Sequence, residues 1–259
     1  MNATEYLCIK IGGSVITDKN IPYRAKKETI KAIAASLKKI KRPMIIAHGS
    51  GSFGHTSAKK YGGKHGYTSA VGIAQVAYDA QQINSIVMEV FIEAGLPVIS
   101  FSPRSFLLAT DGALQKSFLE PILHTLEQGL IPVIYGDIIW DTSQKSTIFS
   151  GETTLNILCQ YLQAKGKNIS KIIQLCDVDG VLDSNKNIIP TVTKDNWGDI
   201  KSYIRQISER DATGGMKHKV EEALGMAMHG IPTYIINGNK RTTVKNALCG
   251  ELSRGTLVA

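Results

Sequence analysis

The sequence has no apolar run long enough to span a bilayer. Its longest near-apolar stretch, residues 129–140, is broken by Pro132, Gly136 and Asp137, and it falls short of the ~20 apolar residues a span needs. Met1 to Glu5 lack a basic segment ahead of an apolar one, so no secretory signal is expected. Cysteine is sparse. Cys8, Cys159, Cys176 and Cys249 are scattered, with no CxxC pair. Three of them sit in apolar runs, where a buried free thiol is the simpler reading. These absences point to a cytoplasmic protein that does not engage a membrane.

Acidic residues are missing from a whole section of the chain. Between Thr29 and Tyr78 there are none, while Lys31, Lys38, Lys39, Lys41, Arg42, Lys59, Lys60 and Lys64 supply a charge equal to the chain's entire net +8. Such a field suits an anionic partner, either a nucleic acid or a small phosphorylated molecule. The group from Lys31 to Arg42 reads as the solvated face of a helix. The group from Lys59 to Lys64 follows a glycine-rich stretch and is more suggestive.

Several signatures are absent as well. GxxxxGK[ST] does not occur, because His65 follows Gly63-Lys64 and Asn168 follows Gly166-Lys167. The HRD and DFG elements of protein kinases and the GxSxG elbow are missing. Residues 49–54 (GSGSFG) match GxGxxG formally. A dinucleotide site, however, expects an acidic residue ~20 positions on at a strand end. Here the next acid, Asp79, falls within a helical pattern.

What is present is a chain of 259 residues with alternating strand and helix patterns. Strands are predicted at 5–11, 43–47, 97–101, 131–135, 171–176, 232–236 and 255–258. Helices are predicted at 25–39, 68–94, 116–128, 152–164 and 216–229, and a strand–turn–strand excursion at 137–149. This alternation predicts an α/β fold, a mostly parallel sheet covered by helices on both faces. The sequence predicts a lobe boundary near 165–170.

Ligands of open α/β sheets gather at the carboxyl ends of the strands. Here those ends carry Gly12-Gly13-Ser14, Gly49 to His55, Gly136-Asp137, Ser150-Gly151-Glu152, Asp177 to Gly180, Asp211 to Lys219 and Gly238. Several glycine-rich loops near lysines point to a polyphosphate, since glycine lets backbone N–H groups approach an oxyanion. Lys10 ends a buried strand, where an ammonium is costly unless it meets an anion. Lys219 falls near the start of a helix, a natural anion site. Asp137 reads equally as structural or as holding its loop. His48, His65, His124, His218 and His229 read as ordinary hydrogen-bonding or incidental residues, and Trp140 and Trp197 as packing.

The stretches KIGGSVITDK (10–19), HGSGSFGH (48–55), YGD (135–137), FSGE (149–152), DVDGV (177–181), DATGGMKHK (211–219) and INGN (236–239) resemble, in that order, the amino acid kinase superfamily. Within it they most resemble the isopentenyl phosphate kinases of archaeal type. The resemblance covers essentially the whole chain. It implies a three-layer α/β/α sandwich, with residues 1–168 as an acceptor-binding lobe and 169–259 as an ATP-binding lobe. It further implies ATP-dependent phosphorylation of isopentenyl phosphate in isoprenoid biosynthesis, Mg2+ carried on the nucleotide, and a homodimer with no nucleic-acid partner. A fosfomycin-type kinase and a non-catalytic nucleotide or RNA binder are the competing readings.

The resemblance also assigns roles. Lys10, Gly12, Gly13, Ser14, Gly51, Asp177, Gly180, Gly215 and Lys219 would hold ATP, and Lys19 would stabilise the transferring group. His55 and Ser50, with Gly54 and Gly151, would meet the acceptor phosphate. Ile73, Val76, Ile138 and Ile148 would wall its tail. Glu152, where an Asp is frequent, would organise the lysines. Ser50 stands where Gly is common.

Overall fold

A computed structural model describes residues 4–62, 69–207, 215–251 and 254–259. Lys64, His65 and residues 211–214 therefore lie outside the described residues. In chain order the elements are β1 (Glu5–Ile11), α1 (Gly13–Ile16), α2 (Lys27–Leu37), β2 (Met44–His48), α3 (Gly51–Tyr61), α4 (Ala70–Glu93) and β3 (Val98–Phe101). Next come β4 (Leu107–Thr110), β5 (Ala113–Ser117), α5 (Glu120–Glu127), β6 (Ile131–Tyr135), β7 (Asp137–Asp141), β8 (Lys145–Phe149) and α6 (Gly151–Ala164). Last are β9 (Asn168–Cys176), β10 (Thr191–Val192), α7 (Trp197–Ile207), α8 (Gly215–Ala227), β11 (Thr233–Asn237), α9 (Arg241–Cys249) and β12 (Thr256–Val258).

Eight strands form one sheet in the order β10-β12-β11-β9-β1-β2-β6-β3. Among the described residues of this sheet only β11 and β12 pair antiparallel; the other neighbours are parallel. Near-continuous apolar strands such as Ile172 to Cys176 are what a parallel sheet covered on both faces requires. Leu7, Ile9 and Ile11 pack with α2, α4 and α9. Tyr6 and Cys8 pack on the opposite face with α5 and α6. Side chains alternate across a strand, so Lys10 faces the α6 side. A third cluster joins α7, α8, β11 and β12. β9 lies between β11 and β1, so the sheet runs unbroken past residues 165–170. Among the described residues no helix is long and apolar enough to cross a membrane.

The predicted strands and most helices are present, with corrections. The glycine-rich stretch after β2 is helical from Gly51, with Lys59 and Lys60 in its last turn, where cations oppose the helix dipole. The helix predicted from Lys116 starts at Glu120, because Ala113–Ser117 pairs with Leu107–Thr110 as a hairpin. That hairpin joins β7 and β8 in a second sheet, order β5-β4-β7-β8. Helices α7 and α9 were not expected. Trp140, read as packing, is half exposed on β7.

Candidate active site

Three glycine-bearing loops meet above the ends of β1, β2 and β8. A Cβ on Gly13 would fall 2.5 Å from the Gly51 nitrogen, and one on Gly151 would fall 2.6 Å from the His48 carbonyl oxygen. Both positions therefore exclude any side chain. The close approach brings the N-termini of α3 and α6 to one cleft. Ser150 caps α6 by accepting from the Thr153 N–H at 3.0 Å, as N-cap serines do. Helix starts of this kind present free N–H groups to anions.

Between them lies a cavity of about 210 Å³. Its wall includes Lys10, Gly12, Gly13, Ser50, Gly51, Gly54 and His55 from the first two loops. Gly151, Glu152 and Lys219 close the same end. The rest of the lining is mainly apolar, with Ala58, Val76, Ala80, Ile138, Ile148 and Phe149, and includes the buried carboxylate of Asp137; Val76 and Ile138 pack together with Ala58 against them.

Lys10 is 4 % exposed and forms an ion pair with Glu152, so the buried ammonium meets an anion within the protein. The longer Glu still reaches it, and Gln174 on β9 donates to the same Glu152 Oε1 at 3.3 Å. Burial alone would raise the Glu152 carboxyl; Lys10 and Lys219 outweigh it and hold the group below its ordinary range. The Lys219 ammonium donates to the Gly215 carbonyl at 3.4 Å. Asp137 behaves oppositely. Burial pushes its carboxyl up to about 6, against the pull of the Arg104 guanidinium.

The remaining anticipated residues lie outside this cavity. Lys19 bridges to Asp177 at 2.7 Å. Burial pushes the Asp177 carboxyl up, but Lys19 and a Ser14 hydrogen bond bring it below its usual value. Gly180 lies against Thr256, whose Oγ1 a Cβ would approach to 2.7 Å. Gly215 opens α8 with φ +53°. Ile73 packs on Val76 and Ile138 from behind.

Sequence reasoning missed several supports. Gln174 was visible as a lone polar residue in an apolar strand. Arg104 and its bond to Asp137 gave no local signal. Glu222 on α8 accepts from Asn156 at 2.5 Å and Thr153 at 3.3 Å on α6, tying the helix that bears Lys219 to the one that bears Glu152. Tyr23 donates to the buried Asp79 at 3.1 Å, pinning the loop after Lys19 to α4. Among the described residues no group of three or more His, Cys, Asp or Glu is placed to hold a metal ion.

The sequence profile of the amino acid kinase family matches residues 5–237. The chain belongs to the amino acid kinase family. Curated amino acid kinase relatives span almost its full length. Isopentenyl phosphate kinase of Methanocaldococcus jannaschii is 31 % identical over 258 residues, covering 94 % of this chain and 95 % of that one. The isopentenyl phosphate kinase of Methanothermobacter thermautotrophicus is 29 % identical, covering 97 % and 98 %. Among solved structures, an X-ray structure of isopentenyl phosphate kinase superposes with a TM-score of 0.81 at 26 % identity, covering 98 % of this chain and all of that one. A substrate complex of isopentenyl phosphate kinase superposes at 0.77.

Proposed function

We propose that this chain is an ATP-dependent kinase that moves the γ-phosphoryl group of ATP onto isopentenyl phosphate, giving isopentenyl diphosphate and ADP. The observation that carries the reading is the cavity's change of character. One end offers Lys10, His55 and Lys219, and the other offers Val76, Ile138 and Ile148. An alkyl phosphate with a short apolar tail has the same polarity.

At neutral pH a phosphate monoester carries close to two negative charges. Its oxygen is already a nucleophile, so no general base is needed. Phosphoryl transfer then depends on positioning and on offsetting charge as two anions meet. Lys10 and Lys219 hold the ATP phosphates, and the backbone of Gly12, Gly13 and Gly51 surrounds them. His55 donates to the acceptor phosphate, and Ser50, Gly54 and Gly151 line its approach. Lys19 leaves Asp177 to neutralise the group in transfer. Glu152 keeps Lys10 and Lys219 apart and aimed. Asp177, Gly180 and Gly215 belong to the nucleotide side, residues 169–259, and the acceptor side is 1–168. Both cavity carboxylates are committed to cations, Glu152 to Lys10 and Asp137 to Arg104, which favours Mg2+ arriving on the nucleotide phosphates, where it offsets their charge. We place the enzyme in the cytoplasm, as a homodimer, with no nucleic-acid partner.

The test is a panel of acceptors with Mg-ATP: isopentenyl phosphate, dimethylallyl phosphate and fosfomycin. The reading expects turnover of the first two. It also expects His55→Ala to lower kcat/KM for the acceptor at least tenfold, since a charge-assisted hydrogen bond contributes about 1.5–3 kcal/mol, with little change in ATP affinity. Exclusive turnover of fosfomycin, or nucleotide binding without transfer, would overturn it.

A further inference from the structure

We infer that Arg104 fixes the width of the apolar half of the cavity by tying its two walls together, and so determines which acceptor tails the site admits. This rests on reading the cavity as an alkyl phosphate site.

One wall is α4, which contributes Val76 and Ala80; the other is the β7–β8 hairpin, which contributes Ile138 and Ile148. Arg104 belongs to neither. It sits in the short 3-10 turn Pro103–Ser105 between β3 and β4. One terminal nitrogen donates to Asp137 Oδ2 at 2.5 Å and to the Ala77 carbonyl at 3.5 Å. The other donates to Gln81 Oε1 at 3.1 Å. Two anchors are chain neighbours of lining residues, Ala77 following Val76 and Gln81 following Ala80, while Asp137 itself lines the cavity and precedes Ile138. The guanidinium therefore ties the two walls to each other.

Asp137 is itself immobilised. Its side chain is fully buried, Ser102 donates to Oδ2 at 3.2 Å, and the Ile138 N–H meets Oδ1 at 2.8 Å. A planar fork of several N–H donors can bond both walls at once, whereas a lysine has a single nitrogen on a flexible stem. The separation of the walls is thus set by the span of one guanidinium. Fit within an apolar pocket discriminates one methylene by roughly 10–200-fold, so a small change in separation is readable in acceptor choice.

Arg104→Lys keeps a cation beside Asp137 and removes the fork. Arg104→Met combined with Asp137→Asn removes both charges together and keeps the volume. Each purified protein is assayed with Mg-ATP against isopentenyl phosphate and geranyl phosphate, with melting measured alongside. The brace predicts that the ratio of kcat/KM for the long over the short acceptor rises at least ~fivefold. The change should come mainly from KM for isopentenyl phosphate, while KM for ATP stays within about twofold of the parent. A purely structural arginine would lower stability and overall activity but leave the ratio alone. If the double variant does not fold, Arg104→Lys decides. An active parent whose Arg104→Lys variant keeps the parental ratio, or loses ATP affinity in step, overturns the brace alone. A parent that never phosphorylates isopentenyl phosphate sinks the functional reading and the brace with it.

Discussion

Lys10 and Glu152 illustrate how the site is held at the scale of single residues. The ammonium is nearly sealed from water and its partner is 12 % exposed. Removing one member of a buried pair leaves the other uncompensated, at a cost of about 3–5 kcal/mol. Glu152→Ala should therefore unfold at clearly lower denaturant than the parent. Mg-ATP should stabilise the variant more than the parent, because nucleotide phosphates then supply the missing anion. Equal unfolding midpoints would show that Glu152 does not hold Lys10. His48 carries a separate forecast. It is fully buried, its Nε2 lies 3.1 Å from Asn84 Oδ1 and its Nδ1 3.2 Å from the Gly49 carbonyl oxygen. Burial, the largest influence, lowers its pKa below the ordinary 6.5 despite those bonds. On acidification through 6.5 the unfolded chain takes up a proton that the folded chain refuses. Stability at His48 is thus complete above that value and declines as pH falls below it. Urea unfolding of the parent at pH 5.5 and 7.5 should show this loss, and His48→Gln should show less of it. Identical pH dependence would remove His48 as the cause.

At the scale of elements, the tail pocket depends on α4 and the β7–β8 hairpin. Ile148 is 45 % exposed and Val76 only 4 %. Ile148→Ala should widen the mouth at little cost in stability. Val76→Ala should cost about 1.5 kcal/mol, at ~0.8 per buried methyl group. Both should raise kcat/KM for geranyl phosphate relative to isopentenyl phosphate. Ile73→Ala should act more weakly, because Ile73 reaches the cavity only through Val76 and Ile138. Paired kinetic and melting measurements decide; variants that lose stability with an unchanged ratio refute the tail pocket. The hairpin and α4 were both legible in the sequence, the one from Asp141-Thr142-Ser143-Gln144 between apolar strands, the other from long helical spacing. Helix α9 went unpredicted, although Val244, Ala247 and Leu248 are spaced to bury one face. Helix α3 offered no such pattern. Its two glycines, with Gly49 just before it, read as a loop, and its helicity comes from packing against α1 and α4 rather than from propensity.

At the scale of the whole molecule, β3 ends the large sheet, with β6 as its one strand neighbour among the described residues. Ile99 on that edge, with Tyr78 and Ile92 on α4, is exposed. An open strand edge beside apolar residues is a surface that proteins generally cover. The homodimer is accordingly forecast to show twice the chain mass by light scattering at micromolar concentration; a monomer mass rejects it. The sequence by itself determined the strand and helix alternation, because burial on both sheet faces imposes apolar runs that local reading detects. It also determined the glycine and lysine loops at the strand ends, because backbone approach to an anion restricts residue type. Only the tertiary structure decided that Lys10 faces Glu152 and Gln174, that Lys19 rests on Asp177, and that Arg104 spans α4 and β7. Those partners are far apart in the chain, and their meeting follows from strand order and side-chain parity across the sheet, which no local stretch of sequence encodes.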